Sequence, residues 1–377
     1  MFMPSPTSIG ALDLSCRPPR PHRNGFLSRC ETLLADWSAL AGTSNAIVDA
    51  FRTATLRLDH IANAGTRRSW LGAARNGAPV ELCESIAATT CGPRFFCDPS
   101  PSAAIERAHA FLRNTALEPD KLDNLARTAH ALQSTQHAAV FWLGAEAATA
   151  HGALTRTVYV DKLLTPPGTA SARAAQALLR SVQIKPTFDA RRSLALVAHQ
   201  ARLRMFECEV RPDGRIAANL SFCRPLDTEI VTLAAACGVP GQPFAQYLDR
   251  LLRLRQDGAD RRAVTTLRIG PSGDVSGVSV SHYAAPHFSS DADLRAAVLA
   301  NAHAFQWQSA PYRTASRSNG ETNDGSRARC YLRFGVQRGG AARLDIFTSP
   351  GRLLTDDAHA HRDAPLADRG DFYVDLV

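Results

Sequence analysis

Residues 263–283 read AVTTLRIGPSGDVSGVSVSHY. Two runs rich in valine, threonine and serine flank Gly270-Pro271-Ser272-Gly273-Asp274. β-Branched residues suit a pleated chain, and glycine supplies the positive φ that a tight reversal needs. The stretch therefore predicts a hairpin with strands at 263–269 and 275–283. The same grammar recurs on both sides. Residues 202–210 (RLRMFECEV) run through Arg211-Pro212-Asp213-Gly214 into 215–223, and 329–337 (RCYLRFGVQ) through Arg338-Gly339-Gly340 into 341–348. Weaker pairs precede them, 78–86 with 93–97 and 138–146 with 154–161.

The first strands of the five pairs centre near residues 82, 142, 206, 267 and 333, a period of roughly 63. Helical spacing of apolar residues fills the intervals at 102–114, 121–133, 169–182, 227–255 and 291–305, and precedes the first pair at 26–40 and 45–61. A fixed period marks a repeat architecture. Ten antiparallel strands are best satisfied by closing into a barrel, which leaves no unpaired edge. The expected fold is thus α+β: five ββα-type repeats, a closed ten-stranded antiparallel β-barrel and an outer layer of helices. Ten strands enclose more width than side chains fill, so a ligand-sized lumen is expected.

The 377 residues are 45% hydrophobic and 21% charged, which excludes a disordered chain, a collagen and a small disulfide scaffold. The longest apolar runs, such as 230–238, are far short of the ~20 residues that span a bilayer. Residues 1–25 read as a flexible arm without the order of a signal peptide, 26–350 as one barrel domain and 351–377 as a polar tail. A closed barrel has no sheet edge to pair, so a monomer is expected. Nine cysteines, an odd number with no C-x-x-C, suggest reduced thiols and a cytoplasmic protein.

The net charge is +8, and 40 of the 43 basic residues are arginine. That balance favours an anionic partner. Nucleic acid is not expected, because the arginines are spread through every segment rather than gathered in a stripe with exposed aromatics. No phosphate loop, dinucleotide fingerprint, H-E-x-x-H or G-x-S-x-G is present. His282 and His287 lack a third ligand at useful spacing and read as solvated. No aspartate-rich D-D-x-x-D segment occurs, and Asp356-Asp357 is a lone pair. No metal site and no cofactor are expected, and arginines must supply any cation.

With the repeat in place, the first hairpin carries a recognisable pattern. Trp70 is followed by Asn76-Gly77-Ala78-Pro79-Val80-Glu81-Leu82 and then by Arg94-Phe95-Phe96-Cys97-Asp98-Pro99. This resembles the ABBA, or PT-barrel, aromatic prenyltransferases, and locally their dimethylallyltryptophan synthase branch, over residues 45 to 350. The resemblance implies transfer of a prenyl group from an allylic diphosphate, such as dimethylallyl diphosphate, to an indole or other aromatic acceptor on a small molecule or peptide. It implies that Glu81 orients the acceptor and helps remove its proton, and that Arg94 binds diphosphate.

Further positions follow from the same resemblance. Thr157-Val158-Tyr159 keeps the tyrosine of the second hairpin and lacks its lysine. On the third hairpin two alignments are open for the diphosphate-binding cations: Arg202 with Arg204, by residue type, or Arg215, by position. Facing each other across the hairpin, all three would contribute. Tyr283 in Ser281-His282-Tyr283 and Tyr331 complete, with Tyr159, the expected carbocation shield. Arg333, Arg343 and Phe347 add cations and a ring on the fifth hairpin. An inward Asp161 would repel a diphosphate unless it faces water at its strand end. The alternative is a barrel of this kind that does not use prenyl diphosphate, and instead cyclises, rearranges or only binds a natural-product intermediate. The two differ in whether Arg94, Arg215 and one of Arg202 or Arg204 converge inside the barrel opposite Glu81.

Overall fold

The computed structural model describes residues 25–43, 45–55, 80–89, 91–97, 104–113, 115, 117–132, 140–147, 153–163, 165–199, 201–225, 229–252, 262–284, 287–318 and 329–348. Trp70, the turn 76–79, Asp98, Pro99, the N-terminal arm up to residue 24 and the C-terminal tail lie outside them.

Ten strands form one closed antiparallel barrel. They are β1 (Val80–Ala87), β2 (Arg94–Cys97), β3 (Val140–Ala147), β4 (Leu154–Asp161), β5 (Arg202–Val210), β6 (Ile216–Pro225), β7 (Arg262–Ile269), β8 (Val275–Tyr283), β9 (Arg329–Gln337) and β10 (Ala342–Thr348). Each strand pairs with its sequence neighbours, and β1 closes on β10, with Leu82 opposite Thr348 and Ala87 opposite Arg343. The hairpin turns gather at one end and the helical connections at the other.

The turn that decided the sequence reading closes as its residues require. Gly270 N donates to Asp274 O at 2.8 Å and Gly273 N to Gly270 O at 2.9 Å. Gly273 has φ +83°, and a Cβ there would lie 2.0 Å from the Lys185 carbonyl oxygen. Only glycine allows both the turn and that close approach.

Helices cover the outside: α1 (Gly25–Ala41), α2 (Ala46–Ala54), α3 (Ala104–Leu112), α4 (Pro119–Ala131), α5 (Thr169–Ser181), α6 (Phe188–Ala198), α7 (Glu229–Ala236), α8 (Gln242–Gln246), α9 (Asp291–Asn301) and α10 (Ser309–Ser318). The pleat sends alternate side chains outward, and those are apolar. Phe95 of β2 meets Phe51 of α2 at 5.3 Å and Phe111 of α3 at 6.4 Å between ring centroids. Phe334 of β9 stacks on Tyr247 at 4.2 Å and meets Phe244 and Phe305 edge-on. The hydrophobic core is this shell between barrel wall and helices.

The expected helix over 227–255 is broken in three. α7 ends at Ala236, two residues before Gly238, whose φ is +74°. After α8 the chain continues as a π-helical turn, Tyr247–Leu251. Helix α6 was not anticipated, although Thr187 caps it by accepting from Ala190 N at 3.3 Å. Nor was α10.

Candidate functional site

Register assigns each strand's inward face. Glu81 pairs with Phe96, Cys83 with Arg94 and with Phe347, and Tyr283 with Tyr331. Their outward neighbours, such as Leu82, Phe95, Leu332 and Ile346, are completely covered, at 0% exposure. Glu81, Arg94, Trp142, Tyr331 and Phe347 instead keep 5–7%. Other inward side chains, Cys83, Glu207 and Ser221 among them, are at 0%.

Towards the end where the helices connect, that set is aromatic. Phe96, Trp142, Tyr159, Tyr331 and Phe347 form one cluster with Cys83, with Met205 and Tyr283 against it. Phe96 meets Tyr159 edge-on at 5.2 Å and Phe347 at 5.3 Å, and Tyr283 stacks on Tyr331 at 4.5 Å. Gly144 makes room for this packing: a Cβ would sit 3.0 Å from the Tyr159 ring and 2.8 Å from the Phe95 carbonyl oxygen. The three tyrosines expected as a shield thus share one wall, with rings that sequence reasoning had not placed in it: Phe96 and Trp142.

Glu81 is set in this wall on β1, between the strands that carry Phe96 and Phe347. No group among the described residues hydrogen-bonds its Oε1. Burial pushes its carboxyl up from an ordinary value of 4.5 to about 8, opposed by the positive charge of Arg333. The indole N–H of Trp142 is also buried without a partner.

The half nearer the hairpin turns is charged. Arg94 binds Glu146 with two nitrogens and stands 3.7 Å from Asp345. Arg343 reaches the other oxygen of Glu146 at 2.6 Å and Asp345 Oδ1 at 2.5 Å, and donates to Ser85 Oγ at 2.6 Å. Arg333 donates to Glu207 at 2.8 Å, Asn219 donates to both Glu207 and Glu209, and Arg268 pairs with Glu209. The arginines hold Glu146, Glu209 and Asp345 below the usual carboxylate range against the opposing effect of burial. Near the other end Arg204 pairs with Asp161 at 3.2 Å. Among the described inward side chains, Arg94, Arg204, Arg268, Arg333 and Arg343 face Glu81, Glu146, Asp161, Glu207, Glu209 and Asp345, and Arg202 joins them beside Cys223. Each of the first five arginines already has a carboxylate.

Three expectations need correction. Arg215 does not enter the barrel. It precedes β6 in the hairpin turn, 69% exposed and 3.6 Å from Asp213. It cannot face Arg202 or Arg204, since Arg202 pairs with Cys223 at the opposite end of the hairpin and Val210 with Ile216 at this one. Arg204 points inward because a bulge between Leu203 and Met205 shifts the register. Arg202 is half-buried where β5 begins. So Arg94, Arg204 and Arg215 do not converge. The cations that neighbour Arg94 are Arg343 and Arg333, from the fifth hairpin. Asp161 does not face water either, being 1% exposed against Arg204.

The third correction concerns His282. It is fully buried on the outer face of β8. Its Nδ1 donates to the Tyr283 carbonyl at 2.9 Å and its Nε2 accepts from Tyr247 at 2.6 Å. Burial and neighbouring His287 lower its pKa to about 3, so it is neutral. Among the described residues no group of three or more His, Cys, Asp or Glu is arranged to hold a metal ion, and no helix is long and apolar enough to cross a membrane.

A closed ten-strand barrel of five hairpins, sheathed by helices and lined by rings, arginines and one unpaired glutamate, defines the ABBA or PT-barrel fold of the aromatic prenyltransferases. Solved structures bear this out. The chain superposes on 5-dimethylallyltryptophan synthase from Streptomyces coelicolor with a TM-score of 0.70 at 16% identity, covering 88% of this chain and 99% of that one. It superposes on 6-dimethylallyltryptophan synthase from Micromonospora olivasterospora with a TM-score of 0.65 at 14% identity (88% and 98% covered). For AnaPT from Neosartorya fischeri the values are 0.60, 12%, 85% and 91%. At such identities the likeness establishes the fold. No family profile and no curated sequence matches the chain.

Proposed function

We propose that the barrel is an aromatic prenyltransferase, moving a prenyl group from an allylic diphosphate to an indole or related acceptor in natural-product biosynthesis. The observation that carries this reading is the unpartnered Glu81 set among aromatic faces, with Arg94, Arg333 and Arg343 in the adjoining charged half. Fold neighbours solved with DMASPP and Trp lend it support.

The chemistry assigns a role to each part. The C–O bond of the allylic diphosphate breaks, and the guanidiniums receive the leaving diphosphate in the place a metal would otherwise take. The faces of Tyr159, Tyr283, Tyr331, Phe96 and Phe347 stabilise the allylic cation and keep water from it. The acceptor ring forms the new C–C bond, and Glu81, as carboxylate, takes the proton it loses. Because Glu81 is protonated below about pH 8 in the empty barrel, turnover rises as pH climbs through that value.

A second reading has its own observation. Arg94, Arg204, Arg268, Arg333 and Arg343 are each already paired with a carboxylate, which favours a barrel that cyclises, rearranges or only binds its ligand. Calorimetric titration with a non-hydrolysable dimethylallyl diphosphate analogue, with and without indole acceptors, separates the two. Saturable binding that is lost in Arg94→Gln and kept in Arg215→Ala supports prenyl transfer, provided circular dichroism shows both variants folded. No binding under either condition leaves the second reading.

A further inference from the structure

Two polar atoms of the aromatic wall have no partner to bond. Glu81 Oε1 and the indole N–H of Trp142 are both buried without one, on residues 5% and 6% exposed. An indole N–H can only donate, and a carboxyl oxygen can accept. A buried indole N–H normally finds an acceptor, because leaving it unmade costs the water it gave up. The inference drawn from this pair rests on the interior being the substrate chamber, as proposed above. It adds a demand on the aromatic acceptor that Glu81 alone does not make.

Register sets the two residues on either side of one ring. Glu81 of β1 stands opposite Phe96 of β2, and Phe96 stands opposite Gly144 of β3. From Gly144, Trp142 is the next inward position towards the end where the helices connect, and it pairs with Tyr159. Gly144 brings no side chain between them, so the Phe96 ring lies against its backbone: a Cβ there would be 3.3 Å from Phe96 Cδ1. A flat molecule laid on Phe96 thus has Glu81 on one side and Trp142 on the other. The inward carboxylates on the neighbouring positions are engaged elsewhere. Asp161, the inward residue after Tyr159 on β4, is held by Arg204 at 3.2 Å. Glu146, on the same strand as Trp142, is taken by Arg94 and Arg343.

We propose that Trp142 determines acceptor specificity: its N–H donates to an oxygen of the aromatic acceptor, which carries a carbonyl or hydroxyl oxygen as well as the N–H or O–H that meets Glu81. A site built to bond a polar group rejects the analogue that lacks it, because the buried donor is then left unpaired.

Calorimetric titration of the full chain tests this with two isosteric pairs of probes. 3-Ethylindole and 4-ethylphenol carry a donor for Glu81 alone. 3-Acetylindole and 4-hydroxyacetophenone add a carbonyl where their partners have a methylene. The carbonyl probes are expected to bind at least about tenfold more tightly. Trp142→Phe keeps a ring and removes the N–H. In that variant the preference disappears while the ethyl probes bind as before, which a merely structural role for Trp142 would not produce. A carbonyl also makes the probe's own N–H or O–H a better donor, and a preference from that source survives Trp142→Phe. Should the variant fail to fold, the indole 15N–1H spectrum of wild type decides. One tryptophan resonance then moves downfield with 3-acetylindole and not with 3-ethylindole. The proposal is overturned if the carbonyl gives no preference, if the preference persists in folded Trp142→Phe, if no resonance moves, or if no probe binds. The diphosphate analogue is titrated into the same variant, where its affinity should be unchanged. A loss there with the carbonyl preference intact assigns the N–H to diphosphate and overturns the proposal. A carbonyl preference that depends on Trp142, without diphosphate binding, keeps this inference and discards prenyl transfer, and the converse does the reverse.

Discussion

Glu81 occupies a position that opposes its own ionisation. Its carboxyl is enclosed by rings, and the one charge that eases it, Arg333, is already shared with Glu207. The folded protein therefore keeps a proton that the unfolded chain releases between pH 4.5 and about 8, so folding stability falls as pH rises across that window. The full penalty above pH 8 is of the order of 5 kcal/mol. Glu81→Gln removes the titrating group and keeps the shape. Urea unfolding should show the variant more stable than wild type at pH 8.5 and nearly equal at pH 5. Equal midpoints at both values would mean that Glu81 is solvated and ionised in the fold. A residue that costs stability at neutral pH and lacks an internal partner is what a binding site retains.

At the scale of elements, the hairpins were legible because turn chemistry is local. Four strands, β4, β5, β8 and β9, fall on the residues that alternation and flanking glycines indicated. Helix α6 was hidden because its faces are unusual: Phe188 is 72% and Leu196 43% exposed, which blurs the apolar period. The segment 227–255 misled for the opposite reason, since its apolar run continues across the break at Gly238. The β7–β8 turn also does more than reverse the chain. Thr187 N donates to Gly273 O at 3.0 Å, so the turn docks on the loop that starts α6. Gly273→Ala meets both a left-handed φ and the Lys185 carbonyl, and is expected to cost about 2–4 kcal/mol. Gly339→Ala, with nothing within 4 Å of its Cβ, serves as the control and should change stability by less than about 1 kcal/mol. Thermal melting of the two variants decides this, and similar melting temperatures would show that the turn does not dock.

Over the whole molecule, the barrel keeps its charged residues inside and its apolar core outside, between wall and helices. That inversion explains which parts of the site sequence could reveal. Glu81, Arg94 and Tyr159 stand in local patterns and were placed by them. Arg333 and Glu207 are 126 positions apart and meet only because the barrel closes, so their pairing had no sequence signal. The exposed Arg215 was misplaced because position in the repeat does not say on which side of a turn a side chain falls. The ion pairs inside the barrel also predict how the molecule fails. Arg333→Met leaves Glu207 inside the barrel with Asn219 as its remaining hydrogen-bond donor, and should cost about 3–5 kcal/mol. Arg333→Met with Glu207→Gln removes both charges together, and should be more stable than the single Arg333 variant by at least about 1 kcal/mol. Urea midpoints of wild type, both single variants and the double variant measure that coupling. A double variant no better than the sum of the two single losses would mean that Arg333 and Glu207 act independently, and that the interior is wet enough to solvate each charge alone.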